Sequence, residues 1–245
     1  MRPTMDRDLN FIVLTPAFNE ADSISQVVRE VMSYDFRIVV IDDGSSDATS
    51  KMAKDCGATV LRMPFQTGVG GALRCGMRFA VENSFNAIVQ IDADGQHPIH
   101  QIRSLLQAAH QTGADMVIGS RFLSPDDRGM TVSAIRRIAM KVLAWRASRA
   151  VNAPLTDVTS GFRLIQGQLL TELAKELPAY FPGDTFEAVV ASGKAGYRVV
   201  EIPVTIAERT HGVSSASTFQ ATKWTARAVA TSILAVYPRL QRKFD

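Results

Sequence analysis

Residues 88–98 read IVQIDADGQHP. An apolar run breaks off, and Asp92, Asp94 and Gln96 follow at every second position. Side chains alternate along extended backbone, so these three polar groups can point the same way. The apolar run has the continuous character of a strand buried on both faces. In open sheets built from such strands, ligands bind outside the carboxyl ends. Two carboxylates and an amide oxygen are hard donors. They suit Mg2+ or Mn2+ held jointly with substrate phosphates and water. A plain turn accounts for Gly95, and a helix start accounts for Pro98, but neither requires Asp92.

The same pattern extends to both sides of this stretch. Strand-length apolar runs occupy residues 11–15, 37–41, 58–62, 87–91 and 115–118. Helix-period segments begin near Glu20, Ser46, Gly70 and Pro98. Strands alternating with helices predict an α/β fold, a mostly parallel central sheet with helices on both faces. Beyond Gly119 the pattern changes. Residues 131–151 read as one long helix, with Ile135, Ile138, Val142 and Trp145 on one side and Arg136, Arg137, Lys141 and Arg149 among the rest. Helical segments are expected at 167–177 and 184–195. A strand broken by Pro203 is expected within 197–209, and a final amphipathic helix at 219–237. No linker composition appears, so residues 1–245 are expected to form one domain. Its two halves are 1–119 and 120–245.

Each strand end carries a polar cluster. The first is TPAFNEAD (15–22), where Pro16 stops the strand and Asn19 or Glu20 opens a helix. The second is IDDGSSDAT (41–49). Gly44 makes a turn there and Ser45 to Asp47 can cap the next helix. Such a turn does not require two adjacent acids. In MPFQTGVGGALRCG (63–76), Gly68, Gly70 and Gly71 let backbone approach a ligand, and their N–H groups can face an anion. A dinucleotide fingerprint would need Gly where Leu73 stands, and would follow the first strand.

The chain has 245 residues, 46% hydrophobic and 21% charged, enough for a full core. Its net charge of +3 is unevenly spread: residues 1–100 hold 9 Lys/Arg against 13 Asp/Glu, a balance of −4, leaving +7 for the rest. An acidic first half and a basic second half suit a metal site facing an anion site. Cys56 and Cys75 form neither a metal spacing nor a redox pair. The opening residues are polar, and the longest apolar stretch near the end, 228–237, is too short to span a bilayer. The expected location is cytoplasmic, with peripheral contact at the membrane's cytoplasmic face. No nucleic-acid-binding motif is present.

Six motifs in order, PAFNE, DDGSSDAT, GVGGALRCG, DADGQHP, GSR and SGFR, resemble the family 2 glycosyltransferases of GT-A fold. The resemblance covers about residues 11–215 and is nearest to the dolichol-phosphate mannosyltransferase and polyprenyl-phosphate sugar transferase branch. It implies an inverting transfer of a sugar from a UDP- or GDP-sugar to an acceptor, with a divalent cation. It places Pro16, Phe18 and Glu20 against base and ribose, with Phe18 where Tyr is frequent, and Asp43 against the base. Asp92 is implied near ribose and metal, with Ala93 and the Gly70 backbone beside the donor. Asp94 and Gln96 would hold the metal against the diphosphate. Arg121 of GSR would lie near the donor. Arg209 of ERTHGVSS would close over the phosphates from a loop that ends in Ser215, where the family carries Lys.

The chemistry follows from these groups. The departing diphosphate gains negative charge, which a metal and Arg209 would neutralise. A lipid phosphate acceptor is already ionised and needs no base; Arg121, Arg136 and Arg137 would orient it. A hydroxyl acceptor needs a base within reach, for which Glu187 or Asp184 is the candidate. Alternatives are a transferase acting on a sugar or other hydroxyl, and a non-catalytic sugar-nucleotide-binding subunit that works with a membrane partner. Homo-oligomerisation is left open.

Overall fold

The computed structural model describes residues 9–123, 134–177, 184–205 and 240–242, with side chains described from 138 in the second of these stretches and from 186 in the third. Seven strands form one sheet: β1 (Phe11–Ala17), β2 (Ile38–Asp42), β3 (Thr59–Arg62), β4 (Ala87–Gln90), β5 (Met116–Ser120), β6 (Arg163–Gln166) and β7 (Val199–Pro203). Their order is β3-β2-β1-β4-β6-β5-β7. All neighbours are parallel except β6, which runs antiparallel to both β4 and β5. The helices are α1 (Ala21–Ser33), α2 (Thr49–Asp55), α3 (Val69–Glu82), α4 (Ile102–Thr112), α5 (Ala134–Val151), α6 (Gly167–Glu176) and α7 (Asp184–Lys194).

The two-residue period of the strands divides the core into two layers. Ile12, Leu14, Val39, Ile41, Ile88, Met116 and Ile118 face the layer formed with α3, α5, α6 and α7. Val13, Val40, Val89, Val117 and Leu164 face the layer formed with α1, α2 and α4. Gly76 lets α3 lie close on the sheet, since a Cβ there would stand 2.8 Å from Ile41 Cδ1. Arg74 and Arg78 of α3 donate to the Lys175 and Ala174 carbonyls at 2.6 and 3.0 Å. They supply donors and positive charge where α6 ends and its carbonyls lack helical partners.

Strand β6 was not among the sequence-predicted strands. It is four residues long and begins with Arg163, which is buried. The guanidinium donates through Nε to the Ser160 carbonyl and through Nη2 to the Val158 carbonyl, both at 2.6 Å. These bonds make a charged strand residue tolerable in the interior. The pairing Gln90↔Arg163 brings the SGFR motif beside the carboxyl end of β4. At the opposite end of the sheet, Leu240 is buried and Arg242 Nη1 lies 3.8 Å from Asp115 Oδ2, fastening residues 240–242 below β5.

Candidate functional site

The loops after β1 and β2 are joined by hydrogen bonds. Asn19, at φ 55°, donates its N–H to Ser45 Oγ at 2.9 Å and accepts from the Ser46 N–H at 2.9 Å. Glu20 N–H donates to Thr49 Oγ1 at 2.9 Å, and Ala21 N–H to Asp47 Oδ2 at 3.1 Å. Burial acts to raise the Asp47 pKa, but bonds from the Thr49 hydroxyl, the Thr49 N–H and the Ala21 N–H outweigh it and hold the carboxyl below its ordinary value. On this frame Pro16, Phe18 and Glu20 are half-buried on either side of buried Ala17, a surface that a ligand can touch.

The adjacent acids after β2 have internal partners. Asp42 is fully buried; it accepts the Ser45 N–H at 2.8 Å and the Ser50 hydroxyl. Asp43 accepts the Thr67 N–H and hydroxyl at 2.8 Å each, and the Gly68 N–H at 2.7 Å. The anion before α3 is thus a carboxylate of the chain itself. Gly44, at φ +79°, lies under the same loop; a Cβ there would meet Gln66 N and Phe65 C at 2.9 Å. The two acids that exceed a capping turn's requirement join strand, turn and the Thr67–Gly68 loop. Gly70 is buried in the first turn of α3.

Strand β4 stops at Gln90, and residues 93–95 form a turn through Gly95 at φ 76°. The extended alternation expected across 92–96 gives way to this turn, in which Asp94 Oδ1 accepts the Gln96 N–H at 3.1 Å. The exposure pattern nonetheless has the expected sense. Asp92, Asp94 and Gln96 are half-buried, while Ile91, Ala93 and His97 are buried. Residue type and spacing alone give His97 no role. Its Nδ1 accepts the Asp92 N–H at 2.9 Å, its Nε2 lies 3.6 Å from Asp92 Oδ2, and its ring stacks on Phe162 at 5.3 Å. Gly161 closes the other side: a Cβ there would stand 2.6 Å from Asp92 Oδ1.

The loop before β6 is fixed from below. Arg121 donates through Nε and Nη2 to the two oxygens of buried Asp157, at 2.6 and 2.8 Å. Glu201 of β7 accepts the Thr156 N–H, the Thr156 hydroxyl and the Asp157 N–H at 2.7–2.8 Å. Burial pushes the Glu201 carboxyl up from its ordinary value, opposed by these bonds. The structure therefore gives the GSR arginine a partner in the loop that carries Gly161 and Phe162. Glu187 is 1% exposed on α7, in the layer that α7 shares with α5. Arg209 and Ser215 lie outside the described residues, as do the side chains of Arg136, Arg137 and Asp184.

The model of glycosyl transferase family 2 matches residues 12–173, which includes the Asp92–Gln96 turn and the loop behind it. The chain belongs to glycosyl transferase family 2. It is a glycosyltransferase of α/β, GT-A-like fold. This transferase is 29% identical over 223 residues to an undecaprenyl-phosphate mannosyltransferase of Micrococcus luteus, covering 85% of this chain and 88% of that protein. It is 30% identical over 233 residues to a polyprenol monophosphomannose synthase of Mycolicibacterium smegmatis, covering 89% and 83%. Among solved structures it resembles glucosyl-3-phosphoglycerate synthase from Mycobacterium tuberculosis in complex with Mn2+, UDP and glucosyl-3-phosphoglycerate. That match has a TM-score of 0.68 and 22% identity, covering 94% of this chain and 81% of that one.

A divalent cation fits the transferase's donor set in one way. Among the described residues, no group of three His, Cys, Asp or Glu side chains is arranged to hold a metal ion. A closed protein cage is therefore not formed there. Two half-buried carboxylates and an amide in one turn instead suit an ion shared with a diphosphate, which completes the coordination. No helix among the described residues is long and apolar enough to cross a membrane.

Proposed function

We propose that this transferase moves a sugar, with inversion, from a UDP- or GDP-sugar to a polyprenyl phosphate, using Mg2+ or Mn2+. The observation that carries the reading is the turn after β4, where Asp92, Asp94 and Gln96 are half-buried between buried Ile91, Ala93 and His97. Asp94 and Gln96 would hold the ion, with Asp92 toward the ribose. The bound ion would supply positive charge to the departing diphosphate. Pro16, Phe18 and Glu20 would hold base and ribose. Asp43 would act through the Thr67–Gly68 loop that it fixes, bringing that loop and the Gly70 backbone beside the donor. Arg209 would add charge to the leaving group, and Arg136 and Arg137 would orient the acceptor phosphate.

The acceptor is inferred from two relatives, whose names specify undecaprenyl phosphate and polyprenol. A lipid phosphate attacks without a base, which agrees with Glu187 being buried rather than presented at the surface. We take residues 1–119 as the donor half and 120–245 as the acceptor half of one domain. A lipid acceptor requires contact with a membrane surface, and α5 offers one: Ile138 and Trp145 are 65% and 55% exposed on it. We place that contact at the cytoplasmic face.

Calorimetric titration of UDP and GDP, with and without Mn2+, tests the donor site. Metal-dependent binding of one nucleotide is expected, with affinity reduced at least about 100-fold in Asp94→Ala. Transfer of labelled sugar from the matching donor to undecaprenyl phosphate in detergent tests the acceptor. Binding of neither nucleotide by folded protein overturns the donor site. Transfer only to sugar hydroxyls overturns the lipid acceptor.

A further inference from the structure

We propose that His97 is the positioning residue for Asp92, whose N–H it accepts at Nδ1. The inference rests on the reading of the Asp92–Gln96 turn as the metal–diphosphate site. A backbone N–H can only donate, so the 2.9 Å bond from Asp92 N–H makes Nδ1 an acceptor. An accepting Nδ1 carries no proton, so the ring N–H is on Nε2, which lies 3.6 Å from Asp92 Oδ2, beyond hydrogen-bond distance. The ring thereby fixes the main chain of Asp92, and with it the root of the carboxylate.

The surroundings keep the ring in place. His97 is 7% exposed and lies against Phe162, with an angle of 26° between the rings. Phe162 is itself wholly buried and next to Gly161, over which the Asp92 carboxylate lies. The carboxylate is therefore bounded by imidazole on one side and glycine backbone on the other, while 46% of its side chain remains exposed. A flexible Asp would lose rotamer freedom each time it met a ligand. A carboxylate already held in its notch loses less. His97 would tune donor affinity without touching the donor, as outer partners of metal ligands do.

Two measurements test this. Nitrogen-15 correlation spectra of histidine-labelled, metal-free protein should show one buried imidazole as the Nε2–H tautomer. A Nδ1–H tautomer for His97 overturns the clamp whatever the site binds. Mn2+-dependent binding of UDP and GDP should weaken about 10- to 100-fold in His97→Ala. His97→Asn offers an acceptor to the Asp92 N–H but no ring to stack on Phe162. It should fall between wild type and His97→Ala in affinity. Wild-type affinity in both variants overturns the inference and leaves the donor site standing. If wild-type protein binds neither nucleotide, the donor site fails and His97 has nothing to position.

Discussion

The acids of this chain separate into those buried among their partners and those half-exposed at a strand end. Asp42, Asp43 and Asp157 are buried and accept donors from within the chain, whereas Asp92 and Asp94 are half-buried at a strand end. Arg121 illustrates the consequence. Its fork on Asp157 fixes the loop that carries Gly161 and Phe162, so its removal leaves a buried carboxylate without its cation. Arg121→Ala should destabilise the protein by about 3–5 kcal/mol, a fall in melting temperature of roughly 6–20 °C for a chain of this size. Nucleotide affinity measured well below the melting point should fall only modestly, through the looser seat of Asp92 on Gly161. A large loss of affinity with an unchanged melting temperature would instead put the guanidinium on the donor. Sequence alone could not make this separation. The order of polar groups along 88–98 was enough to single out Asp92, Asp94 and Gln96, because that signal is local. The partners of Asp43 and Arg121 lie 24 and 36 residues away, and residue type says nothing about who meets whom across such a distance.

Most elements were legible from periodicity, and the exception is instructive. The five strands expected in the first half and the helices between them appear where the apolar runs and their breaks put them. Strand β6 did not, because four residues opening on a buried arginine carry no alternation to read. Yet the loop that leads into β6 sets Gly161 against Asp92, so the missed element borders the candidate site. Two glycines give a paired test. In Gly161→Ala the new methyl meets the end of a flexible side chain, Asp92 Oδ1 at 2.6 Å. The carboxylate should swing away at small cost in stability, and Mn2+-dependent nucleotide binding should weaken. In Gly193→Ala the methyl meets the Ala150 backbone at 2.6 Å, where α5 crosses α7. Nothing there can rotate aside, so about 1–3 kcal/mol of stability should be lost while nucleotide binding persists. Denaturant melts and calorimetry on the two variants would check the pair; the reverse assignment of effects would separate Gly161 from the site.

The sheet interleaves the halves of the chain, since β6 from the second half sits between β4 and β5 of the first. Both halves are thus built on one frame. Helix α5 carries five basic residues and no acid in 18 positions. Its inner side buries Leu143, Ala144 and Ala147. Its outer side exposes Ile138, Val142 and Trp145, with the Arg149 guanidinium 4.6 Å from the centre of the Trp145 ring. A helix with five basic residues and an exposed apolar side suits the boundary of an anionic lipid layer, where indole and guanidinium both find partners. Each basic group near such a surface contributes about 1 kcal/mol, an attraction that salt screens. The protein should therefore float with vesicles containing anionic lipid, bind zwitterionic vesicles less, and release as salt rises. Replacing Ile138 and Trp145 together by Ser should lower the partition coefficient at least about tenfold, because each large apolar side chain contributes about 1.5–3 kcal/mol when fully buried. Nucleotide binding in that double variant should remain at the wild-type level, since α5 is not among the elements that hold the Asp92–Gln96 turn. Equal flotation of wild type and double variant would remove α5 from the membrane contact. Loss of flotation together with nucleotide binding would mean that the helix supports the donor half, and that the lipid surface and the sugar nucleotide are not held by separable parts of this frame.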